Sequence, residues 1–237
     1  MNTIQMSAYT IRELDKHRNL MAILYSLAVL TIVAVVVLFV VGTFMALLIG
    51  TIMFILFCYF GNEEFHKWRR IQTGITGEDL FNACLAKAVD QNNTLYRNVP
   101  TFWGDIDYLL VGPGGVYAFE IKHHSGYINY DASGWKKVKI SGGGIAYTDG
   151  IGNPSGQLGR NIMWLKDYLK SEGIDNIWIK GIVVFTHPRV RLNAKGLKNV
   201  MAITPEGIPK AVRGAEIGEE KAAKVIDALD NLNELKC

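Results

Sequence analysis

The sequence predicts an α/β protein with a mixed sheet, preceded by a two-helix transmembrane hairpin. Three observations carry this. An apolar run without a charged residue extends from Leu20 to Phe60. Two strand-like runs, Asp105–Val111 and Val116–Lys122, flank the turn sequence Gly112-Pro113-Gly114-Gly115. Around that hairpin the pattern runs helix, strands, helix, strand, helix, an order that belongs to the α/β class.

The apolar run is long enough for two bilayer spans of about 20 residues each. Gly42-Thr43 lies near its middle, so the spans are predicted over Leu20–Val41 and Thr43–Phe60. The run starts too late and is too long to be the apolar core of a signal peptide. Arg12, Lys16 and Arg18 precede it, and Lys67, Arg69 and Arg70 follow it. The positive-inside rule then keeps both flanks, and the C-terminal domain, in the cytoplasm. The turn lacks the polar residues of a translocated loop, so a re-entrant hairpin or a single tilted span are the alternatives. Neither span holds an acid or base for an ion path. The hairpin is therefore read as an anchor, which argues against a transporter or channel.

Composition adds limits. At 237 residues the chain holds one or two domains. A net charge of +3 with 20% charged residues is too small to mark a nucleic-acid binder, so any basic surface must be local. The mean hydropathy of +0.15 is high for a soluble chain, and the apolar run accounts for it. Cys58, Cys84 and Cys237 show neither metal-ligand spacing nor a disulfide framework, which fits a reducing compartment. Cys84 reads as a small buried apolar residue. No repeat or low-complexity tract is evident.

Taken in order, residues 1–19 form a polar lead, 20–60 the hairpin and 61–73 a juxtamembrane helix that Gly74 and Gly77 interrupt. Thr76-Gly77-Glu78-Asp79 opens a new helix with Leu80, Phe81, Cys84, Leu85, Ala88 and Val89 at helical spacing. Glu78 falls in its first turn, where a carboxylate serves the helix dipole or a site. Thr94–Val99 reads as a strand ended by Pro100, and short strands are predicted at Tyr127–Tyr130 and Trp135–Ile140. Gly142-Gly143-Gly144 lacks the strand-to-helix context of a phosphate-cradling loop and reads as a turn. Asn153-Pro154 introduces a helix to about Leu169 with an apolar stripe of Leu158, Ile162, Leu165 and Leu169. Ile177–Phe185 is almost unbroken in apolar residues, as in a strand covered on both faces. Val200–Ile203 adds a short strand, Thr204-Pro205 starts a helix, and Glu219–Leu235 closes the soluble part as an amphipathic helix.

The chemistry concentrates on the central hairpin. Alternation puts Glu120 and Lys122 on one face with Val116 and Ala118, and Asp107 begins the partner strand. Charges ending an otherwise apolar strand need a reason. One is an ion pair at the sheet rim. Another is a cation, because two close carboxylates repel. Oxygen ligands suit Mg²⁺ or Mn²⁺, and such a metal with a lysine beside it can support phosphodiester hydrolysis.

Gly77-Glu78, Asp105-Ile106-Asp107, Gly112-Pro113-Gly114-Gly115-Val116, Glu120-Ile121-Lys122, Gly126 and Asn153-Pro154 with Gln157 together resemble the NERD (nuclease-related) domain. That family is placed in the PD-(D/E)xK restriction-endonuclease-like superfamily, and the resemblance covers roughly Gly74 to Arg189, within a domain read as residues 74–203. It implies an αβββαβ core that binds Mg²⁺ or Mn²⁺. It assigns Asp107 and Glu120 as metal ligands, Lys122 as the catalytic lysine, Glu78 as a third ligand from the first helix, and Gln157 as a polar residue orienting substrate or water. Asp105 ranks behind Asp107. His123-His124 depart from the expected pattern, and adjacent strand residues point to opposite faces, so at most one could join the site. The expected activity is a membrane-anchored, divalent-metal-dependent nuclease acting on DNA, with RNA as an alternative. The alternative is a non-catalytic module that binds nucleic acid or protein. Candidate phosphate contacts are Lys136, Lys137, Lys139, Arg160, Lys166, Arg189 and Arg191. Residues 204–237 form a helical extension.

Overall fold

The computed structural model describes residues 8–41, 44–140 and 144–234. Residues 6–75 form one compact unit, and residues 76–237 belong to a second. In the first unit, α1 (Ala8–Val41) starts well before the predicted Leu20 and takes in Arg12, Lys16 and Arg18. Helix α2 (Phe44–Ala86) begins close to the predicted second span. The predicted turn at Gly42-Thr43 lies outside the described residues. The stretches Arg12–Val37 and Leu48–Ala86 are long and apolar enough to cross a membrane, and only 6% and 11% of their most apolar windows is buried. A core helix of a soluble domain would be covered instead.

Two glycines set the approach of α1 and α2. A Cβ on Gly50 would stand 2.1 Å from Val35, and one on Gly61 would stand 3.0 Å from the Tyr25 ring. Small residues at such contacts are how apolar helices associate without a hydrophobic driving force. Toward the polar end, the buried Glu64 carboxylate meets His17 Nδ1 at 2.5 Å and Lys67 Nζ at 2.6 Å. That network satisfies a charge which apolar packing alone would penalise.

Helix α2 then continues into the second unit without a break. The expected interruption at Gly74 and Gly77 does not occur. Helix propensity lost at two glycines, about 1 kcal/mol each, is outweighed where the last turns pack Phe81 and Leu85 into the core. Glu78 consequently lies mid-helix, so a helix dipole does not explain it.

The strands are β1 (Thr94–Thr101), β2 (Gly104–Gly112), β3 (Gly115–Lys122), β4 (Gly126–Asp131), β5 (Gly134–Ile140), β6 (Ala146–Asp149), β7 (Ile179–Phe185), β8 (Val190–Ala194) and β9 (Val200–Ile203). Helix α3 (Pro154–Ser171) separates β6 from β7. A 3-10 turn (Pro205–Gly207), α4 (Ile208–Ala211) and α5 (Glu219–Glu234) complete the unit. Among the described residues, β1-β2-β3-β7-β9 form one mixed sheet and β6-β5-β4-β8 a second. The pair β1–β2–β3 is antiparallel, and β7 and β9 add in parallel. This is the expected mixed α/β core, in αβββαβ order for the first sheet, with β4, β5 and β6 of the second sheet inserted between β3 and α3.

Each face of the first sheet has its own cover. Tyr108, Leu110, Tyr117 and Phe119 pack with Phe81 and Leu85 of α2 and Ile208 of α4. Leu109, Val111, Val116 and Ala118 pack with Leu158, Ile162 and Leu165 of α3 and Val225 and Leu229 of α5. Gly181 of β7 admits α3 closely, since a Cβ there would fall 2.8 Å from Ile162 Cδ1.

Other expectations shift in detail. β1 runs through Pro100, which pairs with Asp105. An edge strand tolerates proline because its outward N–H needs no partner. Thr204 makes no side-chain cap, and a 3-10 turn stands where an α-helix was expected. β6 and β8 were not foreseen: β6 is short and almost wholly exposed, and β8 (Val-Arg-Leu-Asn-Ala) alternates over only five residues. Gly142 and Gly143 lie outside the described residues.

Candidate functional site

The hairpin β2–β3 is in register at Tyr108↔Phe119 and Leu109↔Ala118. One further step in that register sets Asp107 opposite Glu120. There the β1–β2 ladder has a one-pair gap: pairing passes from Arg97↔Tyr108 to Val99↔Ile106 in the same register and skips Asn98 and Asp107. Asn98 has φ 50°, a left-handed conformation that asparagine tolerates better than most residues. The Asp107 carboxylate is held toward β3, where its Oδ2 accepts the N–H of Ile121 at 2.6 Å.

Glu120 shares the α3-covered face with Val116 and Ala118 by strand alternation. It is 1% exposed. Its Oε1 meets Lys122 Nζ at 2.6 Å, and its buried Oε2 has no hydrogen-bond partner among the described residues. Burial and the neighbouring Glu120 charge push the Asp107 carboxyl well above its usual range, against the pull of the Ile121 N–H and Lys122. Burial raises Glu120 as well, and Lys122 opposes the rise. Two carboxylates therefore share one ammonium group in a poorly solvated place, which is an environment short of positive charge.

A divalent cation fits that deficit. The donors are carboxylate oxygens, one of them orphaned, and magnesium needs only one or two carboxylates because it keeps several waters. Among the described residues, no three His, Cys, Asp or Glu side chains converge as a metal-holding group. Glu78, expected as a third ligand, is instead engaged by Arg97 and by the Tyr108 hydroxyl at 3.1 Å. Asp107, Glu120 and Lys122 thus come together, while Glu78 belongs to an adjoining ion pair.

Residues 73–186 match the family described as the nuclease-related domain, NERD. The chain carries a nuclease-related domain. The matched segment begins within α2, just before Glu78, and ends one residue past β7. It contains Glu78, Asp107, Glu120, Lys122 and Gln157, while Arg189 and Arg191 lie beyond it. No curated protein and no solved structure matches the chain.

Around this NERD site, α3 supplies the polar wall. Asn153 caps the helix, its side chain accepting the Gly156 N–H at 2.9 Å, and Gln157 follows half-buried in the first turn. Asn161, one turn on and on the same helix face, is fully buried. Its Nδ2 donates to the Asp105 carbonyl at 3.0 Å, and its Oδ1 lies 2.9 Å from the Thr101 hydroxyl. Asp105 thus contributes a main-chain oxygen to this bracing while its side chain is exposed. Asn161 is the residue that sequence reasoning left without a role. Its signal was a polar residue four after Gln157, beside the apolar stripe.

The histidines flank the site without forming a metal group. His123 Nδ1 lies 3.0 Å from Thr186 Oγ1, and its ring rests 4.8 Å from that of His187. Burial, with Lys137 and Lys122 nearby, pushes His124 down to about 4, so it is neutral at physiological pH. Gly77 matters here because a Cβ would come within 2.8 Å of both His123 Cβ and Thr186 Oγ1. Several expected phosphate contacts have protein partners: Lys137 and Lys139 hold Asp149 at 2.7 and 3.0 Å, and Lys136 holds Asp131 at 3.2 Å. Lys166 stands over the Trp178 ring, and Arg191 donates to the Tyr127 hydroxyl at 2.7 Å.

Proposed function

We propose that this NERD domain is a divalent-metal-dependent nuclease that hydrolyses phosphodiester bonds of DNA. The observation that supports it most is the orphaned Glu120 oxygen opposite Asp107, with Lys122 alongside. Asp107 and Glu120 would hold Mg²⁺ or Mn²⁺. When bound, such a cation lowers the pKa of a coordinated water and polarises a phosphate. Lys122, freed in part from Glu120, stabilises negative charge developing on the phosphate. Gln157 orients substrate or water from the first turn of α3. Glu78 acts by holding Arg97 and Tyr108 rather than as a ligand. The full chain in detergent, incubated with DNA and Mg²⁺ or Mn²⁺, is expected to cleave. Cleavage unchanged in Glu120→Ala and Lys122→Ala would overturn the assignment.

A second reading has its own support. Lys122 closed on Glu120 and Arg97 closed on Glu78 are also what a non-catalytic module with a satisfied rim would have. That module would bind nucleic acid or protein in a salt-sensitive way without metal-dependent cleavage.

The helical unit is proposed as a two-span membrane anchor, with residues 74–203 as the NERD domain and 204–237 as its helical extension, both cytoplasmic. The exposed apolar surface of α1 and α2 supports the anchor. The flanking positive charges support the orientation. Protease digestion of sealed vesicles tests it, and a protected C-terminal domain in inside-out vesicles would refute it.

A further inference from the structure

The turn between β1 and β2 is made of Phe102 and Trp103, and neither folding nor turn chemistry accounts for them. Phe102 is 76% exposed and Trp103 58%. Their rings meet edge to face at 5.0 Å. With Thr101 paired to Gly104, this is a two-residue hairpin connection. Such connections favour Asn-Gly, Asp-Gly or Gly-X, because positive φ angles match the twist of the strands. Here an aromatic pair displaces them, and the positive φ is deferred to Gly104 at 116°. Two large apolar rings are thus kept in solvent at a place that would accept small polar residues.

The tip is braced rather than loose. The Thr101 hydroxyl lies 2.5 Å from the Gly104 carbonyl and accepts the Trp103 N–H at 3.1 Å. The same hydroxyl reaches the fully buried Asn161, which also holds the Asp105 carbonyl. Asn161 therefore ties the aromatic tip to the helix that carries Gln157 and to the strand that carries Asp107. Along β2, Trp103 to Asp107 is about 13 Å at ~3.3 Å per residue. That is roughly four stacked nucleotides at 3.4 Å each.

Resting on the nuclease reading above, we propose that Phe102 and Trp103 stack unpaired bases, so that the site takes single-stranded nucleic acid. Every base presents a flat π-face, but a duplex hides those faces within its stack. Aromatic platforms beside a backbone-binding site are how single strands are held without sequence preference. The braced position at the head of the Asp107 strand favours this occupant over a lipid surface, because it couples the rings to the site.

The test uses the full chain in detergent and fluorescence anisotropy with a labelled oligothymidylate and a duplex. Wild type should prefer the single strand. Phe102→Ala with Trp103→Ala should weaken single-strand binding about 100-fold, roughly tenfold per ring. Phe102→Tyr with Trp103→Phe should retain it, and the melting temperature should stay within a few degrees of wild type. Single-strand affinity unchanged by the double alanine variant would overturn the proposal, as would a wild type that prefers duplex or binds neither. Glu120-dependent cleavage alongside tip-independent binding would sink only this inference. Tip-dependent binding without cleavage would sink only the nuclease reading. In bilayers containing brominated lipid, quenching of the Trp103 signal (wild type minus Trp103→Phe) that oligothymidylate leaves unchanged would assign the tip to the membrane and also overturn it.

Discussion

Glu120 and Glu78 are both glutamates whose charges bear on Asp107, yet their surroundings differ in one decisive respect. Glu78 is one-third exposed and engages Arg97 and Tyr108. Glu120 is almost fully buried, faces a second carboxylate, and keeps one oxygen without a partner among the described residues. A charge that folding has matched is part of the scaffold. A charge that folding has buried and left short of partners is a place for a cation, since an uncompensated buried charge costs several kcal/mol. The comparison turns two residues of one type into two roles.

The sharpest way to break it is kinetic. Glu120→Gln is expected to lower Mg²⁺-dependent cleavage by about 10³-fold, comparable to removing a transition-state electrostatic contact. Glu78→Gln should lower it by less than about tenfold. Equal losses in the two variants would erase the distinction.

The next effect is on stability in the presence of a cation. Asp107 and Glu120 have raised folded-state pKa values. Stability from such groups is complete below about pH 4, their unfolded range, and is lost as pH rises through the raised folded values. A cation that binds the ionised pair should therefore stabilise at pH 8 and hardly at pH 4. At saturating concentration, about 100 Kd, the gain is about 2.7 kcal/mol. Thermal unfolding of the NERD domain in the full chain reads it, and Asp107→Asn should melt higher than wild type without metal and lose the metal response. A metal shift of equal size at both pH values would count against the pair as ligands.

Glu78 should show the opposite balance. Glu78→Gln leaves the mostly buried Arg97 guanidinium underpartnered and should cost about 2 kcal/mol. Replacing both, Glu78→Leu with Arg97→Met, should cost less than the single change. Chemical denaturation decides this, and additive losses would show that the pair is not one unit.

The smallest effects compare two glycines of α2. Gly77→Ala forces a Cβ against His123 and Thr186 and should destabilise by about 1–3 kcal/mol. Gly74→Ala meets nothing within 4 Å and should stabilise by about 0.5–1 kcal/mol. Loss of stability from Gly74→Ala would mean that its helix has another constraint.

Legibility followed the physics of each segment. The hairpin was readable because a Gly/Pro turn separates two runs rich in β-branched and aromatic residues, and β7 because a strand covered on both faces is apolar throughout. The adjacency of Asp107 and Glu120 was within reach, since hairpin register follows from the turn. The continuity of α2 was not, because two glycines oppose a helix locally and only Phe81 and Leu85, packed against Tyr108 and Phe119, reverse that. The short strand β6 is almost wholly exposed and carries no apolar pattern, while β8 alternates over only five residues and is defined by pairing with β4, remote in sequence.

The central hairpin, the strand β7, the apolar helical pair and the placement of the two carboxylates with their lysine on that hairpin were thus legible in the sequence alone, because they rest on local pattern and on turn residues. Tertiary structure decided which charges were matched. Arg97 comes from β1 to claim Glu78, Asn161 comes from α3 to brace Asp105, and no described residue comes to the second oxygen of Glu120. Those outcomes depend on which side chains meet across the fold, and a single-residue pattern along the chain does not encode that meeting.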